Sequence, residues 1–321
     1  MNNNLSTRSI RIVLDDKITI NENLHIKLNV VKSLVSLPNS AKVEIFNISE
    51  ATYEKLKADP LVKIYVDDHF LFSGKVINVF NEYTRPDWLC SIYCSDIINK
   101  PFKDPKYIDI KKGTTNKQVL EMISSPMSPF NLDTSAFADC PKSKGSLLKN
   151  MVVEYKKEQD LIKALQNQFK DCIKDGTDTL KKDGGIDVYK EDGVIKIRKG
   201  GVDGLPNKNN LLKFEYLLES PEISATDIII KVPLSSDDKK RIVGVSCMLG
   251  YGFTVVSKSL QAKLITPYVF KNQFLNKIFK IVEFTHEVDN YTQAVATTTI
   301  KGQNLEANPT PPKTETTTKK G

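Results

Sequence analysis

Leu24, Ile26, Leu28 and Val30 are apolar, and His25, Lys27 and Asn29 between them are polar. A strict period of two puts alternate side chains on opposite faces of an extended chain, which predicts a strand with one buried face. Ala41, Val43 and Ile45 alternate with Lys42 and Glu44 in the same way. Val62, Ile64 and Val66 follow, then the mixed run 69–79 and the segment 89–94. Turn residues separate these runs: Leu37-Pro38-Asn39, Asp67-Asp68 and Arg85-Pro86-Asp87. Short strands at this spacing predict a sandwich or small barrel. One helix interrupts them, capped by Ser49, running to about Lys57 and stopped by Pro60.

From Pro101 the pattern changes. Thr114 or Thr115 caps a helix carrying Val119, Leu120 and Ile123, and the Pro-rich stretch 124–144 reads as irregular. Leu161, Leu165 and Phe169 recur at helical spacing within 157–173. Ile186–Tyr189 and Val194–Ile197 flank Asp192-Gly193, a hairpin signal. Strand character returns after Leu211, with Ile228–Val232 ended by Pro233, then 277–284 and 293–301. The segment 304–321 is rich in Pro, Thr and Lys and has no apolar residue after Ala307, so it is expected to be a disordered tail. The predicted plan is mainly β with an α+β insertion: a β unit over 1–100, a small α+β unit over 101–210, a β unit over 211–303, and the tail.

Composition narrows the functional classes. With 40% hydrophobic and 26% charged residues among 321, the chain can build a sizeable core. A net charge of +7, dispersed along the sequence, suits an acidic partner but is no nucleic-acid signature. Five cysteines without framework spacing predict reduced thiols in a protein folded in a cytosol. The N-terminus lacks the apolar centre of a secretory signal, and no apolar run approaches the roughly 20 residues of a membrane span.

The sequence shows no legible catalytic grouping. His25 lies on the polar side of a strand, His69 follows a turn, and His286 stands beside Glu283, Glu287 and Asp289 on what reads as an acidic strand-end rim. Cys90 and Cys94 point to one face of a strand and read as small buried hydrophobes. Asp15-Asp16, Asp67-Asp68 and Asp237-Asp238 read as solvated turns, and Gly200-Gly201 with Gly204 as a linker. Lys156-Lys157 and Lys181-Lys182 lack interleaved aromatics. No zinc spacing, phosphate loop, nucleophile elbow or EF-hand loop occurs. The chain is expected to be structural, not an enzyme, with no catalytic, cofactor-binding or metal-ligating residue.

Three segments carry a resemblance. Leu37-Pro-Asn-Ser-Ala-Lys-Val-Glu-Ile-Phe-Asn-Ile-Ser49 joins a turn, an alternating strand and a Ser-opened helix. Leu218-Glu-Ser-Pro-Glu222 leads by a Ser-Pro-Glu turn into the strand that ends near Leu234. Lys277-Ile-Phe-Lys-Ile-Val-Glu-Phe-Thr-His-Glu-Val-Asp289 precedes a last strand at Thr297–Gly302. Together, in this order across residues 9–302, they resemble the baseplate hub proteins of the late-control-protein-D-like group, found in phage tails and tail-like injection systems. The sequence departs from that pattern over 249–276, where a short connection is expected, and at Asn290, where Gly is usual.

The resemblance implies two related β-barrel domains flanking the insertion. It implies a homotrimer whose barrels form a pseudo-sixfold ring between the tail tube protein and the central spike protein, among other baseplate proteins, with a channel for DNA passage. It places the protein in the virion, assembled in the host cytoplasm. The residues expected to matter are structural: Pro38 and Asn39 at the first turn, Leu24, Ile26, Leu28 and Val30 in the first core, and Pro221 with Glu222 opening the second barrel. Alternatives are another tail component such as a distal-tail ring or spike adapter, a carbohydrate- or cell-surface-binding β module, and a hydrolase. The carbohydrate reading expects a strip of exposed aromatics, whereas the single Trp88 reads as a partly buried strand-start residue.

Overall fold

The structure is a computed structural model of the chain, described at residues 9–20, 23–34, 38–96, 102–127, 131–133, 144–169, 186–191, 194–199, 205–207, 209–216, 227–233, 249–257, 278–291 and 296–305. The alternating N-terminal third forms β1 (Ile10–Leu14), β2 (Ile18–Ile20), β3 (Ile26–Ser33), β4 (Ser40–Phe46), helix α1 (Glu50–Leu56), β5 (Leu61–Val66), β6 (His69–Thr84) and β7 (Asp87–Ser95). Ser49 caps α1 by accepting from the Thr52 amide, as its position predicts. The turns at Asp15-Asp16 and Asp67-Asp68 have positive φ at both residues. Such conformations are open to Asp, whose short polar side chain bonds locally. In this fold the two side chains instead tie neighbouring strands: Asp15 Oδ1 accepts from the Leu61 amide and Asp67 Oδ1 from the Ser9 amide.

The middle of the chain is α+β. It holds β8 (Lys106–Ile110), α2 (Asn116–Ser124) with a 3-10 turn at Ser125–Met127, β9 (Asn131–Asp133), β10 (Met151–Tyr155), α3 (Glu158–Phe169), β11 (Ile186–Glu191) and β12 (Val194–Lys199). Thr115, not Thr114, caps α2, and Gln118 returns the bond to complete a capping box. Leu161, Leu165 and Phe169 bury the expected face of α3. β11 and β12 pair as the predicted hairpin. The stretch read as irregular includes β9, which adds to β12 in parallel.

The last part supplies β13 (Leu212–Tyr216), β14 (Asp227–Pro233), β15 (Gly252–Ser257), β16 (Ile278–Asp289) and β17 (Ala296–Asn304). β16 runs through Asp289, well past the predicted end. Among the described residues, the sheet order is β13-β15-β16-β3-β4-β7-β6-β5-β1-β2, with β17 pairing both β16 and β14, so twelve strands from both chain ends share one sheet. The architecture is mainly β, as the alternation requires. The join lies between β3 and β16, antiparallel from Lys27 opposite Asp289 to Ser33 opposite Glu283.

Three apolar clusters follow the chain. The first gathers Ile26, Leu28, Val30, Val43, Ile45, Ile64, Phe72 and their neighbours from β1–β7, plus Val288 from β16. The second lies under α2 and α3. The third holds Phe253, Phe279, Phe284 and Ile300, plus Leu34 from the end of β3 and Tyr189 from β11. Each partner across the join therefore lends a side chain to the other's core. The α+β part is tied to the last strands by Lys280 Nζ on Asp187 at 3.1 Å and by the Tyr189 hydroxyl donating to the Leu249 carbonyl at 3.1 Å. Among the described residues no helix is long and apolar enough to cross a membrane.

Candidate assembly surface

Asn39 shows how the predicted structural residues act. Its side-chain oxygen accepts from the Ser33 amide at 2.9 Å and its carbonyl accepts from the Asp96 amide at 3.0 Å. It thus closes the turn between β3 and β4 while reaching the end of β7, and it is buried, whereas Pro38 is exposed. Removing a buried acceptor leaves its donor without a partner, at a cost of about 1–3 kcal/mol. Asn39→Ala is therefore expected to lower the unfolding free energy measured in urea by about 1–3 kcal/mol, while Pro38→Ala changes it little. Leu24 packs at the margin of the first core, and Ile26, Leu28 and Val30 lie inside it. Pro221 and Glu222 lie outside the described residues, as do Asp192-Gly193, Gly200-Gly201, Gly204, Lys181-Lys182, Asp237-Asp238 and 306–321, whereas the amides of Lys156 and Lys157 both donate to Asp160 Oδ2 ahead of α3.

The join between β3 and β16 holds two of the three histidines, and both differ from expectation. His25 is not a solvated surface residue. Its Nε2 meets Asp289 Oδ1 at 3.0 Å and its ring stacks on Phe46 at 4.2 Å. His286 is not on a rim: β16 continues beyond it, and β3 and β17 flank it. It is almost fully buried, with Nδ1 bonded to Thr298 Oγ1 at 2.8 Å and Nε2 without a hydrogen-bond partner. Burial, and then the Lys32 charge, pushes its pKa down to about 3. His69 is exposed at the start of β6, as its turn position implies. Asn290 explains its own departure from the resemblance. Its side chain accepts from the Ile26 amide at 2.7 Å and donates to the Leu24 carbonyl at 2.9 Å, which pins the start of β3 to the end of β16.

Burial pushes the Cys90 and Cys94 thiols up to about 11 and about 12, so both are inert packing groups. Asp16 pairs with Lys63 at the surface. No group of His, Cys, Asp and Glu among the described residues is placed to hold a metal.

The surface is distinctive at the β6–β7 hairpin. β5 accompanies β6 only as far as Lys75. Beyond a bulge between Val76 and Asn78 the hairpin continues with β7 alone to the Thr84–Asp87 pair. Ile77, Phe80, Tyr83 and Trp88 on this extension are 47–61% exposed. Tyr83 and Trp88 contact each other at 5.2 Å between ring centroids, and Phe80 meets the edge of Tyr93 at 5.9 Å. Trp88 is at a strand start as predicted, but it is half exposed and has aromatic company. Sequence reasoning missed this exposure; the available signal was Tyr83 opposite Trp88 across the Arg85-Pro86 turn, with Phe80 on the other face of the same strand.

No family model matches the sequence, and no curated protein does. Solved structures do match. A tail protein from Neisseria meningitidis MC58 superposes with a TM-score of 0.57 over 93% of this chain and 97% of its own, at 8% identity. The 43 kDa tail protein of prophage MuSo2 from Shewanella oneidensis gives 0.56 over 92% and 98%, at 10% identity. At such identity the likeness is one of fold, and over nearly its whole length this chain has the fold of these tail proteins.

Proposed function

We propose that the chain is a baseplate hub protein of a phage tail or tail-like injection system, a structural part of the virion assembled in the host cytoplasm and without catalysis of its own. The observation that carries this reading is the nearly end-to-end fold likeness to two tail proteins, together with the hub-like segments at 37–49, 218–234 and 277–302. Its units are two related β domains, 1–100 and 211–303, around an α+β insertion at 101–210; Asn304, read from the sequence as the start of a tail, is the last residue of β17. Three copies close into a ring of six quasi-equivalent β domains. The ring adapts the sixfold tail tube to the threefold central spike and leaves a channel for DNA.

Each copy meets the next through unlike surfaces, and such a contact closes only if its rotation does. Size-exclusion chromatography with light scattering, followed by electron microscopy, is expected to give threefold rings, alone or with tube and spike proteins added. A chain that stays monomeric with both partners present would overturn the reading.

A further inference from the structure

We propose that one end of the α+β unit, where Lys111, Lys112, Lys117, Lys144 and Lys149 gather beside the exposed Leu148, docks on an anionic phospholipid surface. The proposal goes beyond the hub reading, does not depend on it, and concerns a part of the molecule away from the β3–β16 join.

The sequence spreads these lysines over two segments, and the fold joins them. After β8 the chain turns at Gly113, with φ at 87°, and runs beside the segment that leads into β10. The Gly113 amide donates to the Leu147 carbonyl, the Leu147 amide to the Thr114 carbonyl and the Asn116 amide to the Gly145 carbonyl, each at 2.9 Å. The Lys112 amide donates to Asn150 Oδ1 at 2.8 Å. Residues 111–120 and 144–153, so joined, hold five lysines and no Asp or Glu, a charge of +5 where the whole chain carries +7. All five lysines are exposed, and among the described residues none is in an ion pair. Asp109, Glu121 and Glu154 bound the cluster on β8, α2 and β10 without pairing to it. Lys117 stands in the first turn of α2, where the helix dipole disfavours a cation and no acid compensates. Folding stability is not served by this concentration of like charge; binding to an anionic partner is.

Leu148 decides which anionic partner fits. It is 89% exposed, the most exposed large apolar side chain among the described residues, and Val152 on β10 follows at 62%. Leu147 beside it is buried in the second core, which fixes the backbone and holds Leu148 outward. A nucleic acid would take the lysines on its phosphates, but neither segment has an aromatic side chain or an Arg for the bases, and Leu148 would stay in water. An acidic protein would need a socket for Leu148 set among its carboxylates. A bilayer surface meets both features without one. Headgroup phosphates face the lysines, at about fivefold in affinity for each, and the Leu side chain enters the boundary between headgroups and acyl chains.

The test is flotation of the full chain with vesicles of phosphatidylglycerol and phosphatidylcholine, and with vesicles of phosphatidylcholine alone, beside anisotropy titration of a labelled DNA duplex. Wild type is compared with Lys112→Glu/Lys149→Glu, with Leu148→Ser, and with Lys17→Glu/Lys55→Glu, which makes the same change in net charge at exposed positions of the first β unit. Wild type and the Lys17/Lys55 variant are expected to float with the anionic vesicles only, and salt at about 0.5 M should release them. The Lys112/Lys149 variant should bind at least about tenfold more weakly, and Leu148→Ser several-fold more weakly, both with the wild-type circular dichroism spectrum. Wild type that ignores anionic vesicles overturns the proposal, whether or not the variants fold. So does a loss as large in the Lys17/Lys55 variant, which would make net charge alone the cause. Duplex binding that is lost in the Lys112/Lys149 variant and kept in Leu148→Ser, without flotation, would overturn it in favour of nucleic acid. None of these outcomes touches the hub reading, which the oligomeric state tests separately.

Discussion

Gly74→Ala should be the most damaging single-methyl change in the N-terminal sheet, lowering stability by about 3 kcal/mol, the upper part of the usual range for overpacking. Gly74 lies in β6 where that strand still has neighbours on both sides, opposite Val62 on β5 and next to the Lys75–Ser95 pair with β7. A Cβ there would collide with the Ser95 carbonyl oxygen, lie 2.6 Å from the Ser95 carbonyl carbon and 2.8 Å from Cε1 of Phe72. Backbone cannot rotate away as a flexible side chain can, and Phe72 is itself packed inside the first core. The strain therefore passes to the β6–β7 ladder or to the core. Urea unfolding of Gly74→Ala beside a Ser73→Ala control measures it. A Gly74→Ala midpoint as high as the control's would mean that β6 and β7 are further apart at this point.

Several features were legible because they are local. Alternation places Ile26, Leu28 and Val30 in a core, a Ser or Thr before an apolar run places the starts of α1 and α2, and a paired Asp places a tight turn. What was not legible depends on partners far away in sequence. Nothing near Leu24–Ser33 announces β16 as its neighbour, so His25 and Asn290 lack visible roles until Asp289, Leu24 and Ile26 come together. The polar run Thr285-His286-Glu287 reads as a strand end, yet β16 continues, because Thr298 on β17 gives His286 a buried partner. The bulge after Val76 resets the alternation, so apolar Phe80 and Tyr83 lie beyond the first core. The candidate surface was therefore the part of the molecule least visible in the sequence, while the structural residues around Asn39 were read directly from the turn.

His286 gives the join a pH dependence whose sign follows from its burial. In the unfolded chain it takes up a proton near the ordinary value of about 6.5. In the fold its pKa is pushed down to about 3, by burial first and by Lys32 second. Between those values the unfolded state binds a proton that the folded state refuses, so stability is complete above about pH 6.5 and falls as pH drops towards 3. At about 1.4 kcal/mol for each unit of difference, the loss reaches about 2 kcal/mol by pH 5. Lys32, on β3, adds to the effect, because a protonated ring would feel a like charge. Glu283 and Glu287, two strand positions on one side of the sheet, alternate with the buried ring and do not share its face. His286→Gln keeps a hydrogen-bonding group towards Thr298 and does not titrate. The difference in urea stability between wild type and His286→Gln should therefore shrink by about 2 kcal/mol from pH 7.5 to pH 5, with other groups cancelling. A difference that stays constant across that range would mean that the ring is hydrated in solution and the join between β3 and β16 is open there.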